Sequence, residues 1–167
     1  GQILEKASNN KIVEVVISDY PEIEFRGFIE GFYGTPWSHE DRISLMKDTS
    51  EYKMNTYIYA PKDDPYHRSN WKDLYPKEEA KQIKELAKAG TENNINFCWT
   101  IHPGATLKFT EDDFDALIAK YEQLYDLGVR QFGVLFDDTD DWTNGKKQAE
   151  WINRIDTEFV KVKGDVA

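Results

Sequence analysis

At 167 residues, 40% of them apolar, the chain is long enough to bury a core and apolar enough to fold as one domain. A net charge of −10 and a sequence pI near 4.8 exclude the basic surface that nucleic acid or an anionic membrane requires. One cysteine, Cys98, excludes an internal disulfide or a cysteine zinc cage, and no apolar run is long enough to insert into a bilayer.

Residues 2 to 8 have the pattern of a helix end, and Lys11 to Ser18 alternates like a strand until Asp19-Tyr20-Pro21 stops it. From Phe25 a repeat begins, a short apolar strand followed by an amphipathic helix, and it recurs four times. The first strand is expected over Phe25 to Phe32, with Ser38 and Asp41 opening a helix in the manner of a capping box and carrying it to about Tyr52. The second strand, Met54 to Ala60, runs into a polar loop that reaches Tyr75. Pro76 starts a helix that Ala89-Gly90 should weaken before Asn93. The third strand, Ile95 to Ile101, holds Cys98 in an apolar run, which suits a buried, inert thiol. His102-Pro103-Gly104 ends it.

Thr110 to Asp113 opens a third helix whose Phe114, Leu117, Ile118, Tyr121, Leu124 and Tyr125 keep a 3.6-residue rhythm up to Gly128, a C-terminal glycine. The fourth strand is Arg130 to Phe136, and the fourth helix runs from Lys146 to about Lys163. Strand–helix alternation of this kind requires parallel strands with right-handed crossovers. Two architectures satisfy it, a finished doubly wound sheet and part of an eight-stranded barrel. In both, the four strand ends meet on one face.

The most informative end is Gly133-Val134-Leu135-Phe136-Asp137-Asp138-Thr139-Asp140-Asp141, where an apolar strand breaks into four carboxylates within five residues. Acids at a strand's carboxyl end are ordinary turn and cap residues, but ligands also gather there in α/β proteins. A Mg²⁺ pocket built from Asp137, Asp138 and Asp140, in a doubly wound signalling domain, is a third reading. Gly31-Phe32-Tyr33-Gly34 lacks the spacing of a phosphate-binding glycine loop, and His67 and His102 stand too far apart for a metal-spaced pair. Glu30 suits a buried, paired structural carboxylate, Asp63 and Asp64 suit loop-ordering acids, and His102 suits a turn histidine.

Residues Arg26 to Ser38 (RGFIEGFYGTPWS), Met54 to His67 (MNTYIYAPKDDPYH) and Leu135 to Asp138 (LFDD) together closely resemble glycoside hydrolase family 84, the β-N-acetylglucosaminidases that include O-GlcNAcases and bacterial hyaluronidase-like proteins. The resemblance runs from about Tyr20 to the end. It implies a (β/α)₈ barrel of which this chain holds roughly the first half, residues 20 to 167, with residues 1 to 19 the tail of a preceding small α/β domain. An open barrel edge of that kind invites pairing with a second copy.

The resemblance also implies a reaction, removal of terminal N-acetylglucosamine with retention, in which the substrate's own acetamido group is the nucleophile and an oxazoline forms. Asp137 would orient the acetamido nitrogen, and Asp138 would protonate the leaving oxygen and then deprotonate water. Gly31 and Lys62 would bind sugar hydroxyls, and Tyr33 would line the pocket. No metal or other cofactor is implied. The expected partners are N-acetylglucosamine-containing glycans or glycoproteins, met by a secreted bacterial protein, although no secretory signal begins this chain. A half-barrel that holds sugar without turning it over is the alternative.

Overall fold

The computed structural model describes Ala7, Lys11 and residues 14–137 and 145–167. Four parallel strands form one sheet: β1 (Gly27–Glu30), β2 (Thr56–Tyr59), β3 (Asn96–Ile101) and β4 (Gln131–Val134), in the spatial order β1-β2-β3-β4. Each is followed by a helix: α1 (His39–Ser50), α2 (Lys77–Glu92), α3 (Glu111–Asp126) and α4 (Gly145–Ile155). A π-helical turn, Asp156–Val160, extends α4 to Lys161–Lys163.

The order of the strands never reverses. A doubly wound sheet reverses its order and so covers both faces with helices. Here Phe28, Tyr57, Tyr59, Phe97, Trp99, Ile101, Phe132 and Val134 belong to a single core with Leu117, Tyr121, Leu124 and Phe159 from the helical layer. Of the alternate residues, which face the other way, Ile29 is 51% exposed and Ile58, Cys98, Gln131 and Gly133 are half-buried, while Thr56 and Thr100 are buried. This one-sided arrangement is that of consecutive βα units of a barrel, and it overturns the doubly wound alternative. The last residue extends the progression, since Ala167 donates to the Arg130 carbonyl and accepts from the Phe132 amide on the free edge of β4.

The helix starts lie where their sequences put them. Ser38 accepts from the Asp41 amide and Asp41 answers the Ser38 amide, and Thr110 and Asp113 repeat the box on α3. Gly128, at φ +102, ends α3 in a conformation that a side chain disfavours.

Three expectations need correction. Gly90 does not end α2, which continues through it to Glu92. A Cβ there would stand 2.7 Å from the Ile95 carbonyl oxygen, so the glycine lets helix and strand approach closely. Cys98 is only half-buried, on the less covered face, although burial still pushes its thiol up to about 11 and keeps it unreactive. Of the strand expected over Lys11 to Ser18, Lys11 makes a single bridge, whereas residues 14–18 form no strand and Val15, Val16 and Ile17 are exposed. The helix end expected over 2–8 lies, Ala7 apart, outside the described residues.

Candidate active site at the carboxyl ends of the strands

The register of the sheet decides what the strand ends can bring together. Gly27 pairs with Thr56, Thr56 with Asn96, and Cys98 with Gln131. Side chains repeat every two residues, so counting on in twos carries β1 to Gly31 and Tyr33, β2 to Lys62, β3 to His102 and β4 to Asp137. All five fall on the phase that faces away from the helices. Four segments far apart in sequence therefore converge on one rim.

The side chains meet there as the register requires. Tyr33, 78% exposed, lies with its ring 5.3 Å from the Lys62 ammonium. His102, only 2% exposed, brings its Nε2 within 3.0 Å of Asp137 Oδ2, while the Asp137 side chain is 58% exposed. Burial alone would raise the Asp137 carboxyl. The charge and hydrogen bond of His102, the residue's own backbone amide and the charge of Lys62 outweigh it and hold the group below its ordinary 3.8. Asp137 is thus a carboxylate kept ionised by its contacts with His102 and Lys62, with an exposed edge. Asp138 lies outside the described residues.

Gly31 is half-buried and its φ is not positive. A Cβ built on it would meet only the Ile29 side chain, at 3.6 and 3.7 Å, which is ordinary contact. Neither backbone geometry nor packing requires glycine at this position.

The loop after β2 is held rigid from beneath. Asp64 is buried and accepts from the Tyr59 hydroxyl at 2.9 Å, the Tyr75 hydroxyl at 2.5 Å and the amides of Tyr66 and His67. It orders the loop, as its sequence context suggests, whereas Asp63 is exposed. His67 donates from Nδ1 to the Thr100 carbonyl at 2.6 Å, and its carbonyl accepts from the His102 amide at 2.9 Å. Burial pushes the His67 ring down to about 4, so it is neutral at physiological pH. Glu30, on the helix side of the sheet, accepts both Arg42 nitrogens at 2.8 Å and the Tyr57 hydroxyl. It is a structural carboxylate.

A cavity of about 420 Å³ opens between the loop after β2 and the turn after β3, lined by Lys62, Arg68, Ser69, His102 and Thr106 among others. A larger one of about 570 Å³ lies at the opposite ends of β3 and β4, against Asn96 and Gln131. Barrels of this type carry their chemistry at the carboxyl ends, where the smaller cavity lies against Lys62 and His102; the charged groups of the larger one, Arg130 and Asp165, are paired with each other.

Sequence reasoning undervalued His102. Its residue type suited a turn, and only the strand register, in which Thr100 pairs with Gly133, puts it on the same phase as Asp137.

The profile of the β-N-acetylglucosaminidase family matches residues 26–167. The chain belongs to this family. The chain is 42% identical over 115 residues to the proteins named Protein O-GlcNAcase of Rattus norvegicus and Mus musculus; the match takes in 68% of this chain and spans 13% of their length. Among solved structures it is similar to CpGH84B, with TM-score 0.85 and 50% identity over 89% of this chain and 27% of that one. CpGH84D follows at TM-score 0.83 and 44% identity, over 90% of this chain and 26% of that one. A mutant of the Thermobaculum terrenum O-GlcNAc hydrolase shares TM-score 0.76 and 32% identity, over 83% and 33% respectively. Among the described residues, no helix is long and apolar enough to cross a membrane.

Proposed function

We propose that this β-N-acetylglucosaminidase chain supplies the sugar-binding rim and the acid pair of a hydrolase that removes terminal β-linked N-acetylglucosamine with retention, by substrate-assisted catalysis. The observation that carries the reading is Asp137, an exposed carboxylate held ionised by His102 and Lys62 at the carboxyl end of β4.

An ionised acid in that position accepts the acetamido N–H. As it does so, the acetamido oxygen gains electron density and attacks the anomeric carbon, closing an oxazoline as the glycosidic bond breaks. Asp138 gives its proton to the departing oxygen. Water then opens the oxazoline, with Asp138 as base, and the configuration is retained. A charged Asp137 next door favours the protonated form of Asp138, because two adjacent carboxylates resist ionising together. Lys62 and the backbone of Gly31 bind sugar hydroxyls, and Tyr33 closes one wall.

The finer assignments rest on the same family reading. They are an N-terminal tail over residues 1 to 19 from a preceding domain, half a barrel over 20 to 167, a secreted bacterial setting, and glycans, glycoproteins or hyaluronan as the source of the sugar. Pairing of two copies through open barrel edges belongs with them.

Hydrolysis of a chromogenic β-N-acetylglucosaminide tests the proposal. Asp138→Asn and Asp137→Asn each remove a step and should lower kcat by about 10²–10⁴-fold. Turnover that survives both changes would show that the acids are misassigned. The uncovered inner face, with Ile29 half exposed, favours a second reading in which the chain holds sugar without turnover. N-acetylglucosamine binding by calorimetry with no release of chromophore would select it.

A further inference from the structure

We infer that His102 is a positioning residue for the reaction, holding one oxygen of the Asp137 carboxylate so that only the other is presented to the acetamido N–H. The inference deepens the proposed function and rests on it.

A carboxylate offers two oxygens and several directions of approach, and a terminal aspartate at a loop mouth can turn freely about χ2. His102 removes that freedom. Its Nε2 stands 3.0 Å from Oδ2, and the ring, 2% exposed, has no room to follow a moving partner. The ring's own place is fixed by the backbone: the His102 amide donates to the His67 carbonyl, and the preceding Ile101 carbonyl accepts the Leu135 amide at 2.8 Å. The second of these bonds ties the end of β3 to the segment that leads into Asp137. The His67 ring stands beside it, centroids 6.1 Å apart, anchored through Nδ1 to Thr100.

A carboxylate oxygen only accepts, so the contact requires a proton on His102 Nε2. Among the described residues, the charged groups near the pair are Lys62, which acts on Asp137, Asp64 and Arg68, which act on His67 in opposite directions, and Asp63, which lines the same cavity. With Oδ2 beside His102, the Asp137 side chain is still 58% exposed, which leaves the carboxylate an open side. Asp137 is thereby aimed before substrate arrives, and the cost of ordering it is met in folding.

Two amides separate positioning from mere bulk. Glutamine carries its nitrogen where the imidazole carries Nε2, and asparagine carries it at the Nδ1 position, too short to reach Asp137. His102→Asn should lower kcat by about ten- to a hundredfold with KM little changed, the loss of one short polar contact to a charged group. His102→Gln should recover most of it.

In the same proteins, ¹³C NMR of the Asp137 carboxyl should show its titration midpoint move up in His102→Asn and return toward the wild-type position in His102→Gln. Equal activity losses in both variants, or an Asp137 midpoint that neither moves, would overturn the inference. If wild type releases no N-acetylglucosamine, the proposed function fails, and the carboxyl titration alone then decides whether His102 holds Asp137.

Discussion

Lys120 offers the strongest test of how this fold holds its site loop. Its side chain is fully buried (0% exposed) on α3; the ammonium donates to the Tyr66 carbonyl at 3.0 Å and lies 4.7 Å from the centre of the Tyr75 ring and 6.0 Å from that of Trp99. Burial lowers it from 10.5 to about 8, with Asp64 and Asp73 opposing. The unfolded chain therefore binds the proton more tightly, and stability rises with pH between about 8 and 10.5. At ~1.4 kcal/mol per pH unit, the full gain is on the order of 3 kcal/mol.

Cys98 and the buried tyrosines work in the opposite direction at higher pH, since burial raises each of them and the folded form resists their ionisation. These contributions cancel when wild type is compared with Lys120→Met, which keeps the stem's volume without the charge. Urea unfolding followed by tryptophan fluorescence at pH 7, 8, 9 and 10 should show the wild type gaining on the variant by about 1 kcal/mol from pH 8 to 9. Parallel curves across that range would refute the reasoning.

Three further outcomes follow from single contacts. Arg42→Leu leaves the Glu30 carboxylate, 1% exposed, with only the Tyr57 hydroxyl and the Trp37 amide as partners, and should cost about 3–5 kcal/mol in urea unfolding. Gly27→Ala puts a Cβ 1.7 Å from the Thr56 carbonyl oxygen, so β1 cannot keep its register, and the melting temperature should fall sharply. Gly31→Ala should leave stability within about 0.5 kcal/mol of wild type while weakening N-acetylglucosamine binding in calorimetry, because its Cβ meets only ordinary contacts in the protein.

Much of the fold was legible because each unit states its own boundaries. Ser38 with Asp41 and Thr110 with Asp113 announce helix starts, and Gly128 announces an end. What the alternation could not say is whether the helices lie on one face or two. That depends on strand order, which is a long-range property, and the resemblance to a barrel family supplied it. Gly90 was misjudged because helix propensity is local, whereas its reason is the Ile95 carbonyl across the interface.

The site was legible in a similar measure. Lys62 lies beside the Tyr33 ring and its charge acts on Asp137, so three residues that the resemblance singles out are neighbours, while the roles it gives them belong to the proposal. The partnership of His102 with Asp137 was hidden, because both lie beyond the paired residues and only the register aligns their phases.

Under the proposed function, the charge of this chain makes a testable prediction about the sugar's source. At −10 this chain repels polyanions over roughly the Debye length, about 8 Å at physiological ionic strength, and an uncharged N-acetylglucosamine end feels no such field. Hyaluronan carries a carboxylate on every second sugar, so its approach should be slowed in a way that salt relieves. With chitobiose and a hyaluronan oligosaccharide as paired substrates, raising salt from low to physiological levels should increase kcat/KM for the second and leave the first nearly unchanged. If hyaluronan cleavage instead falls as salt is added, a cationic groove draws it in; Lys62 and Arg68 at the cavity would then outweigh the chain's net charge, and the acidic surface would carry no information about substrate choice.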